Sequence, residues 1–186
     1  MLACDFFHVD CALTLHRICV FFAIGVGSRC VRVRGVTSRP DGAWATRQAR
    51  NLLMDLGEPA ARFRFLIRDR AGPFTGAVDA VLSGAGIRVV KIPPRSPSAN
   101  AYAERRVRAV RAGVTGRMLI TGPGHVRRVS GEYVAHYNRH RPHRAGNLRP
   151  PDWDDIITAP VTDLAAARIR RHRVLGGLIH EYERAA

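Results

Sequence analysis

Acidic residues are scarce in this sequence, and lysine is almost absent. Only 15 Asp and Glu residues stand against 30 basic ones, which leaves a formal net charge of +15. Lys91 is the only lysine, so arginine carries nearly all of the positive charge. Each basic side chain laid on a phosphate releases a condensed counterion, so this imbalance favours a polyanionic partner, above all nucleic acid. A ribosome-type RNA binder and a basic protein without such a partner are the alternatives.

The sequence also lacks paired cysteines and a long apolar segment. No CxxC motif or Cys/His spacing occurs among its four cysteines, which are Cys4, Cys11, Cys19 and Cys30. This argues against a zinc site or a disulfide framework and favours small buried thiols. The apolar run 18–27 is too short to span a bilayer, and Asp5 and Asp10 precede it where a secretory signal needs positive charge. We therefore expect a cytoplasmic protein without a membrane role.

Length and composition suit one folded domain. The chain has 186 residues, of which 46% are apolar, so it can bury a core without help from disulfides or metals. Alternating and helical periodicities predict three strands, then helix, strand, helix and strand, over residues 2–9, 15–24, 28–36, 43–56, 63–68, 74–83 and 87–92. The first three strands should form an antiparallel meander. This order is typical of an α/β fold with a mixed five-stranded sheet flanked by helices.

The second half of the sequence is predicted to be mainly helical. After a proline-rich loop at 93–98, Asn100 can cap a helix over residues 101–114. The apolar stripe of this helix consists of Ala103, Val107, Val110 and Val114. The rest of its surface is expected to carry Arg105, Arg106, Arg108 and Arg111. Another helix is expected at 125–137, and residues 152–186 are interpreted as a basic C-terminal tail beyond a domain at 1–151.

Three acidic residues fall where this fold can bring them together. Asp5 lies on the first strand, which a meander places centrally, and Asp69 follows the strand at 63–68. Open α/β sheets gather ligands beyond their strand ends. Glu104 lies early in the helix at 101–114, at the edge of its apolar stripe, where its carboxylate can turn toward the sheet. Taken one at a time, each of these acids could equally be solvated or cap a helix.

Converging carboxylates need a cation, because they otherwise repel one another and their pKa values rise. Oxygen ligands suit Mg²⁺ or Mn²⁺, and two such ions can clamp the attacking and leaving oxygens of a phosphoryl displacement. The spacing therefore makes Asp5, Asp69 and Glu104 a candidate site for two Mg²⁺ or Mn²⁺ ions, and solvated or helix-capping acids remain the alternative. Asp10 is a weaker candidate, since it faces away from Asp5 and should begin a turn.

Several ordered motifs surround these acids. They are Cys4-Asp5-Phe6-Phe7-His8-Val9-Asp10, Ile67-Arg68-Asp69-Arg70 with Phe74-Thr75, Ser96-Pro97-Ser98-Ala99-Asn100-Ala101-Tyr102-Ala103-Glu104, Tyr133-Val134-Ala135-His136-Tyr137-Asn138-Arg139-His140-Arg141-Pro142-His143, and Arg149-Pro150-Pro151. In these motifs the sequence resembles the integrase core superfamily of DDE transposases and retroviral-type integrases, especially the bacterial insertion-sequence branch. Thirty-four residues, 70–103, separate Asp69 from Glu104, which is close to the interval of that family. The resemblance extends from residue 2 to about residue 151.

The resemblance implies an RNase H-like fold and metal-dependent cleavage and strand transfer of DNA, with Asp5, Asp69 and Glu104 at the catalytic positions. Relatives carry N-terminal DNA-recognition domains, so a chain that begins on the first strand is expected to be an N-terminally truncated copy. The expected partners are DNA, both element ends and target, and further copies of the chain. No small-molecule cofactor is expected. A remnant that only binds nucleic acid and an RNase H-like nuclease are the competing functions.

Other polar residues have both a functional and a structural interpretation. Contacts to DNA are predicted for Asn100, Arg105, Arg108, Arg111, Arg141 and His143. The arginines of the helix could equally be a solvated face, and Asn100 a plain helix cap. His136, His140 and His143 lack a cysteine or acidic partner pattern, so packing or DNA contact is favoured over zinc. Tyr102, Tyr137 and Trp153 could stack on bases, but core packing is the preferred interpretation.

Overall fold

A mixed five-stranded sheet forms the centre of the protein in the computed structural model, which describes residues 1–57, 60, 62–94, 96–144, 147–152 and 169–184. In chain order its strands are β1 (Leu2–Asp10), β2 (Arg17–Gly25), β3 (Val31–Thr37), β4 (Phe65–Arg68) and β5 (Arg88–Lys91). Their spatial order is β3-β2-β1-β4-β5. The first three form the antiparallel meander, while β4 is parallel to both β1 and β5. The predicted sheet is confirmed, with β1 in the middle.

Helices cover both faces of this sheet. They are α1 (Gly42–Leu56), α2 (Gly76–Gly84), α3 (Ala101–Val110) and α4 (Pro123–Arg139). One apolar cluster joins the sheet to α1 and α2, and another joins its opposite face to α3 and α4. Alternate residues of β1 supply the two clusters, since Leu2 and Cys4 belong to the first and Ala3 and Phe7 to the second. Each predicted helix is therefore present.

Helix α3 departs from the prediction at its end and on one face. Its α-helical part stops at Val110, and a single π-helical turn, Arg111–Thr115, continues it. The buried α3 residues are Ala103, Arg106 and Val110, so the prediction that Arg106 lies on the surface is wrong. Its guanidinium lies 4.5 Å and 4.0 Å from the ring centroids of Tyr133 and Tyr137 on α4. These aromatic faces offset part of the cost of burying the charge.

The carboxamide of Asn138 links α4 to the outer edge of the sheet. Its Oδ1 accepts from the backbone N–H of Val31 at 2.9 Å, and its Nδ2 donates to the carbonyl of the same residue at 2.9 Å. Both bonds are buried. Among the described strands β3 pairs with β2 alone, so this side chain satisfies two backbone groups that a further strand would otherwise pair.

A β-hairpin lies in the segment for which the sequence predicted only a basic tail. Strand β6 (Ile169–Val174) pairs antiparallel with β7 (Ile179–Arg184). Between them, Leu175 is buried and belongs to the apolar cluster formed with α3 and α4. Residues 153–168 lie outside the described part of the chain, and so does the prediction made for Trp153.

Candidate active site

Two of the predicted acids lie at matching positions of the neighbouring parallel strands, Asp5 within β1 and Asp69 directly after β4. In the pairing of β1 with β4, Ala3 lies opposite Ile67. Asp5 and Asp69 each follow two residues later, where the pairing of the two strands has ended. Residues two apart on a strand share one face, so both acids follow Ala3 and Ile67 on the side of the sheet covered by α3. Local register thus accounts for their proximity.

Glu104 joins them from α3. The three acids line one cleft of about 490 Å³, together with residues of the loops after β4 and β5 and with Asn100. A second cleft on the other side of Glu104 is lined by Asp5, Glu104, Arg108 and Arg111. The structure therefore brings together Asp5, Asp69 and Glu104, and it sets two of the predicted DNA-contacting arginines beside them.

The electrostatics of Asp5 show that this cleft concentrates negative charge. The pKa of its carboxyl is raised from 3.8 to about 6, first by burial and then by the charges of Asp69 and Glu104. This rise occurs although Oδ1 of Asp5 accepts a hydrogen bond from the backbone N–H of Phe6 at 2.7 Å, which lowers the pKa. An uncompensated cluster of this kind is the charge pattern that a bound cation relieves.

Asn100 links the start of α3 to the strand that carries Asp5. Its side chain is buried, and Nδ2 donates to the carbonyl of Cys4 at 3.2 Å, while Oδ1 has no hydrogen-bond partner. It occupies the position before α3 but makes no side-chain capping bond, so the prediction of a plain helix cap is wrong. This contact ties the two elements that carry Asp5 and Glu104.

The sequence did not predict the ion pair between Arg68 and Asp79, which lies next to Asp69. Arg68 is only 2% exposed, and it contacts both carboxylate oxygens of Asp79 on α2, at 2.7 and 2.8 Å. Its Nη1 also donates to the carbonyl of Asp69 at 2.8 Å. Lys91 approaches the same carboxylate from β5, at 3.0 Å. The residue that precedes Asp69 is thereby fixed at two points.

Part of the chain that carries this site matches a known protein family. Residues 85–151, which include β5, α3, Glu104 and α4, match the family model described as integrase core domain. The matched segment is about a third of the chain, so the match is a similarity of this segment to that family. No curated protein sequence gives a significant match to the chain.

Solved structures extend the integrase core fold to the rest of the described chain. A chain of the cryo-EM structure of the simian T-cell lymphotropic virus intasome in complex with PP2A regulatory subunit B56 gamma matches with a TM-score of 0.60 at 13% identity. That match covers 100% of this chain and 66% of the viral one. The catalytic core domain of BIV integrase gives 0.54 at 16% identity, covering 81% and 90%. The HTLV-2 integrase catalytic core domain in complex with magnesium, in its dimeric form, gives 0.50 at 10%, with the same coverage.

At these identities the structures establish the fold, and the predicted RNase H-like sheet agrees with it. The match spans just under two thirds of the viral intasome chain. Among the residues described, no helix is long and apolar enough to span a membrane.

The donor set of the carboxylate cleft, which is lined by Asp5, Asp69 and Glu104, fits a hard divalent cation in its chemistry. Its three carboxylates supply the oxygen ligands that Mg²⁺ and Mn²⁺ prefer. Within the described ranges, however, no three His, Cys, Asp or Glu side chains are already arranged to hold a metal ion. Binding would therefore require the side chains of Asp5, Asp69 and Glu104 to close around the ion.

The remaining predicted residues lie away from this cleft. Arg105, Arg141 and His143 line a different cleft, on the far side of α3. Nδ1 of His136 contacts the carboxylate of Glu181 on the hairpin at 2.8 Å, an acidic partner that the sequence did not reveal. Tyr137 is buried, as core packing predicted, and all four cysteines are free and buried. The prediction of small buried thiols agrees with this placement.

Proposed function

We propose that the chain is the catalytic core of a DDE-type transposase or integrase that cuts DNA and joins its ends to a target. In the first step a water attacks a phosphodiester at an element end and frees a 3′-hydroxyl. In the second step that hydroxyl attacks a phosphodiester of the target, forming a new bond as the target strand breaks. Assignment to the bacterial insertion-sequence branch stays a prediction from the motifs.

The observation that carries this proposal is the convergence of three carboxylates from three separate elements on one cleft. Asp5 comes from β1, Asp69 follows β4 and Glu104 comes from α3. Burial raises the pKa of Asp5, and repulsion from Asp69 and Glu104 raises it further, which is an energetic cost to the protein without a cation. Carboxylates that serve only solubility are free to point apart into water, whereas these share a partly buried site.

The carboxylates of Asp5, Asp69 and Glu104 would hold the Mg²⁺ or Mn²⁺ pair, which when bound supplies the positive charge that phosphoryl transfer requires. Asn100 orients the start of α3 against β1, and Arg68 fixes the backbone at Asp69. Arg108 and Arg111 border Glu104 and would hold the phosphates that flank the reacting one. Positioning and charge neutralisation then provide the catalysis, without a covalent enzyme intermediate.

Similar structures support metal binding and self-association. They are an intasome and a complex with magnesium in a dimeric form, each of its own viral protein. The net charge of +15 suits a DNA partner. For this chain we propose binding to DNA, assembly with further copies of itself and two metal ions per site.

A nicking and strand-transfer assay with Mn²⁺ and a labelled oligonucleotide duplex tests the proposal. Glu104→Gln keeps the size of the side chain but removes its charge, and we expect activity to fall at least about 100-fold. Glu132→Gln, an exposed glutamate on α4, is the matched control and should retain full activity. DNA binding without metal-dependent cleavage in the unsubstituted chain, or full activity in Glu104→Gln, would refute the enzyme proposal.

A second candidate function is a core that binds nucleic acid without turnover. It is favoured by one observation, that in the described residues no carboxylate group is already arranged to hold a metal ion. Titration calorimetry with Mn²⁺ separates the two candidates. Binding that disappears in Glu104→Gln but persists in Glu132→Gln supports the enzyme, whereas the absence of Mn²⁺ binding supports the non-catalytic core.

A further inference from the structure

The side of α3 that faces away from the carboxylates forms a strongly basic cleft of about 340 Å³. We call it the arginine cleft. Five of its eleven lining residues are arginines, and none is acidic. The arginines are Arg29, Arg105, Arg106, Arg141 and Arg144, and His143 lies among them. The helix thus presents Glu104 to one cleft and Arg105 and Arg106 to another.

Within the part of the chain that the structure describes, no carboxylate is paired with the charges of this cleft. No salt bridge between described residues involves any of its five arginines. Three of them lie over aromatic rings instead. Arg29 is 4.2 Å from the centroid of Tyr102, and Arg106 and Arg141 are 4.0 Å and 5.6 Å from that of Tyr137. Like charges gathered in a concave site raise the local positive potential, which favours a bound anion.

Buried donors in the cleft have no hydrogen-bond partner. Arg106 is only 4% exposed, and its Nη1 bonds to nothing; the same holds for Nε2 of His143. An unsatisfied buried polar group costs about 1–3 kcal/mol, and more when it is charged, so two in one cleft call for an explanation. The pKa of His143 is lowered, first by burial and then by the charges of Arg141, Arg29 and Arg106.

The backbone at one rim of the cleft is strained. Arg29 has a φ of 64° in the turn between β2 and β3, a left-handed conformation that a residue with a side chain seldom adopts. Such strain costs on the order of 1 kcal/mol and often marks a binding site. Here it accompanies the stacking of the Arg29 guanidinium on Tyr102.

We propose that the arginine cleft binds a phosphate group of the DNA backbone, separately from the carboxylate cleft. Guanidinium groups offer paired N–H donors that match two phosphate oxygens, and a neutral imidazole adds one further donor. The identity of the phosphate as one of DNA rests on the proposed function, whereas the anion site itself rests on the geometry of the cleft. A strand held here passes across α3 from the reacting phosphate to an anchoring one.

Salt-dependent binding of a fluorescent DNA duplex to the full chain, measured by anisotropy in EDTA, tests this proposal without any metal chemistry. Arg29→Met and Arg106→Met each remove one charge from the cleft. Each should lower the slope of log Kd against log salt by about 0.9, because one phosphate fewer is neutralised on binding. Arg50→Met removes one charge from the exposed surface of α1, across the sheet, and is the matched control. Its slope should equal that of the unsubstituted chain.

Inorganic phosphate is the second probe. We expect it to raise the Tm of the unsubstituted chain above that in chloride of equal ionic strength, and to raise that of Arg29→Met less. Because Arg106 is buried, its variant is first checked by circular dichroism, and Arg29→Met carries the test if Arg106→Met does not fold.

Equal salt slopes in the cleft variants and the unsubstituted chain overturn the proposal. If phosphate then still raises the Tm, the cleft takes free phosphate instead of DNA. Absence of cleavage activity in the unsubstituted chain would refute the proposed enzyme and leave these binding results unchanged.

Discussion

Asp5 lies in a site that disfavours the ionised form of its carboxyl group. Burial and the nearby acids raise its pKa to about 6, above the ordinary value of 3.8. The folded chain therefore binds a proton at Asp5 more tightly than the unfolded chain does. As the pH rises from about 4 to about 6, the free energy of unfolding falls, because the folded state must ionise a buried group. Above about pH 6 the full penalty is present.

Removal of this charge should therefore stabilise the metal-free protein. We expect Asp5→Asn to raise the free energy of unfolding by about 2 kcal/mol near pH 8, and by almost nothing below about pH 4, where both states are protonated. Urea denaturation at the two pH values measures the difference. Asp10→Asn is the control, since Asp10 lies on the same strand in an exposed pair with Arg17 and should change stability by less than about 1 kcal/mol. A loss of stability in Asp5→Asn near pH 8 would contradict this account.

Arg106 shows where sequence reasoning fails at the scale of one residue. Helical periodicity predicts burial from apolar character, so a charged residue within a stripe is assigned to the surface. What buries Arg106 is the pair of rings on α4, about thirty residues later in the chain. Its pKa is lowered to about 10, chiefly by burial. No local pattern reveals a partner at that separation.

At the scale of elements, the contact of Asn138 with Val31 holds α4 against the sheet edge. Asn138→Asp keeps the size of the side chain but replaces the donor Nδ2 with an oxygen, which then faces the Val31 carbonyl. We expect a loss of about 2–4 kcal/mol in the free energy of unfolding. Equilibrium denaturation measures it, and Asn51→Asp, on the exposed side of α1, is the control that should change little. Equal stability of the two variants would show that this contact contributes nothing.

A second contact between elements, Arg68 with Asp79, joins β4 to α2. Burial raises the pKa of Asp79, but hydrogen bonds from Arg68 and Lys91 outweigh it and leave that pKa lowered. The pair therefore stabilises the fold above the unfolded pKa of Asp79, and this contribution is lost as the pH falls through the folded value.

We expect Asp79→Asn to cost about 2–4 kcal/mol near neutral pH, because it leaves the buried charge of Arg68 without its counterion. Thermal unfolding as a function of pH measures the effect. The difference from the unsubstituted chain should shrink in acid. A difference that stays constant from neutral to acidic pH would show that charge is not its source.

The order of elements was predictable because each strand and helix has its own periodicity. The alternation in 28–36 and the leucines near 52–56 could be recognised without any distant partner. Asp41 and Gly57 mark the two ends of α1, and each makes local hydrogen bonds there. The hairpin escaped prediction because its strands have no buried alternation: every residue of β6 before Val174 is exposed. Its buried anchor, Leu175, lies in the turn between the strands.

At the scale of the whole molecule, this anchor makes the hairpin part of the same cooperative unit as the sheet. Leu175→Ala should cost about 2–4 kcal/mol, since it removes a buried side chain from the cluster formed with α3 and α4. Ile169→Ala, in the same hairpin but 66% exposed, should change stability by less than about 0.5 kcal/mol. Guanidinium denaturation followed by circular dichroism compares them. Similar effects in both variants would mean that the hairpin folds apart from the core.

The three acidic residues of the candidate site could be predicted from the sequence, but the contacts that surround them could not. Asp5, Asp69 and Glu104 could be selected because their elements had clear periods and their motifs had a family likeness. The brace of Arg68, the link from Asn100 to Cys4 and the arginine cleft each depend on contacts between distant segments. Such contacts are properties of the assembled fold, so a single sequence does not disclose them.

The outer strands of the sheet also govern how the molecule behaves in a crowded solution of its own copies. At one edge, Asn138 already occupies the N–H and carbonyl of Val31. At the other, β5 is four residues long and exposes the charges of Arg88 and Lys91. Asn138 thus blocks one end of the β3 ladder, and short length and charge make β5 a poor template for a further strand. Fibrils that grow from the sheet edges, unlike the proposed assembly of folded copies, should therefore form first in variants that uncover β3.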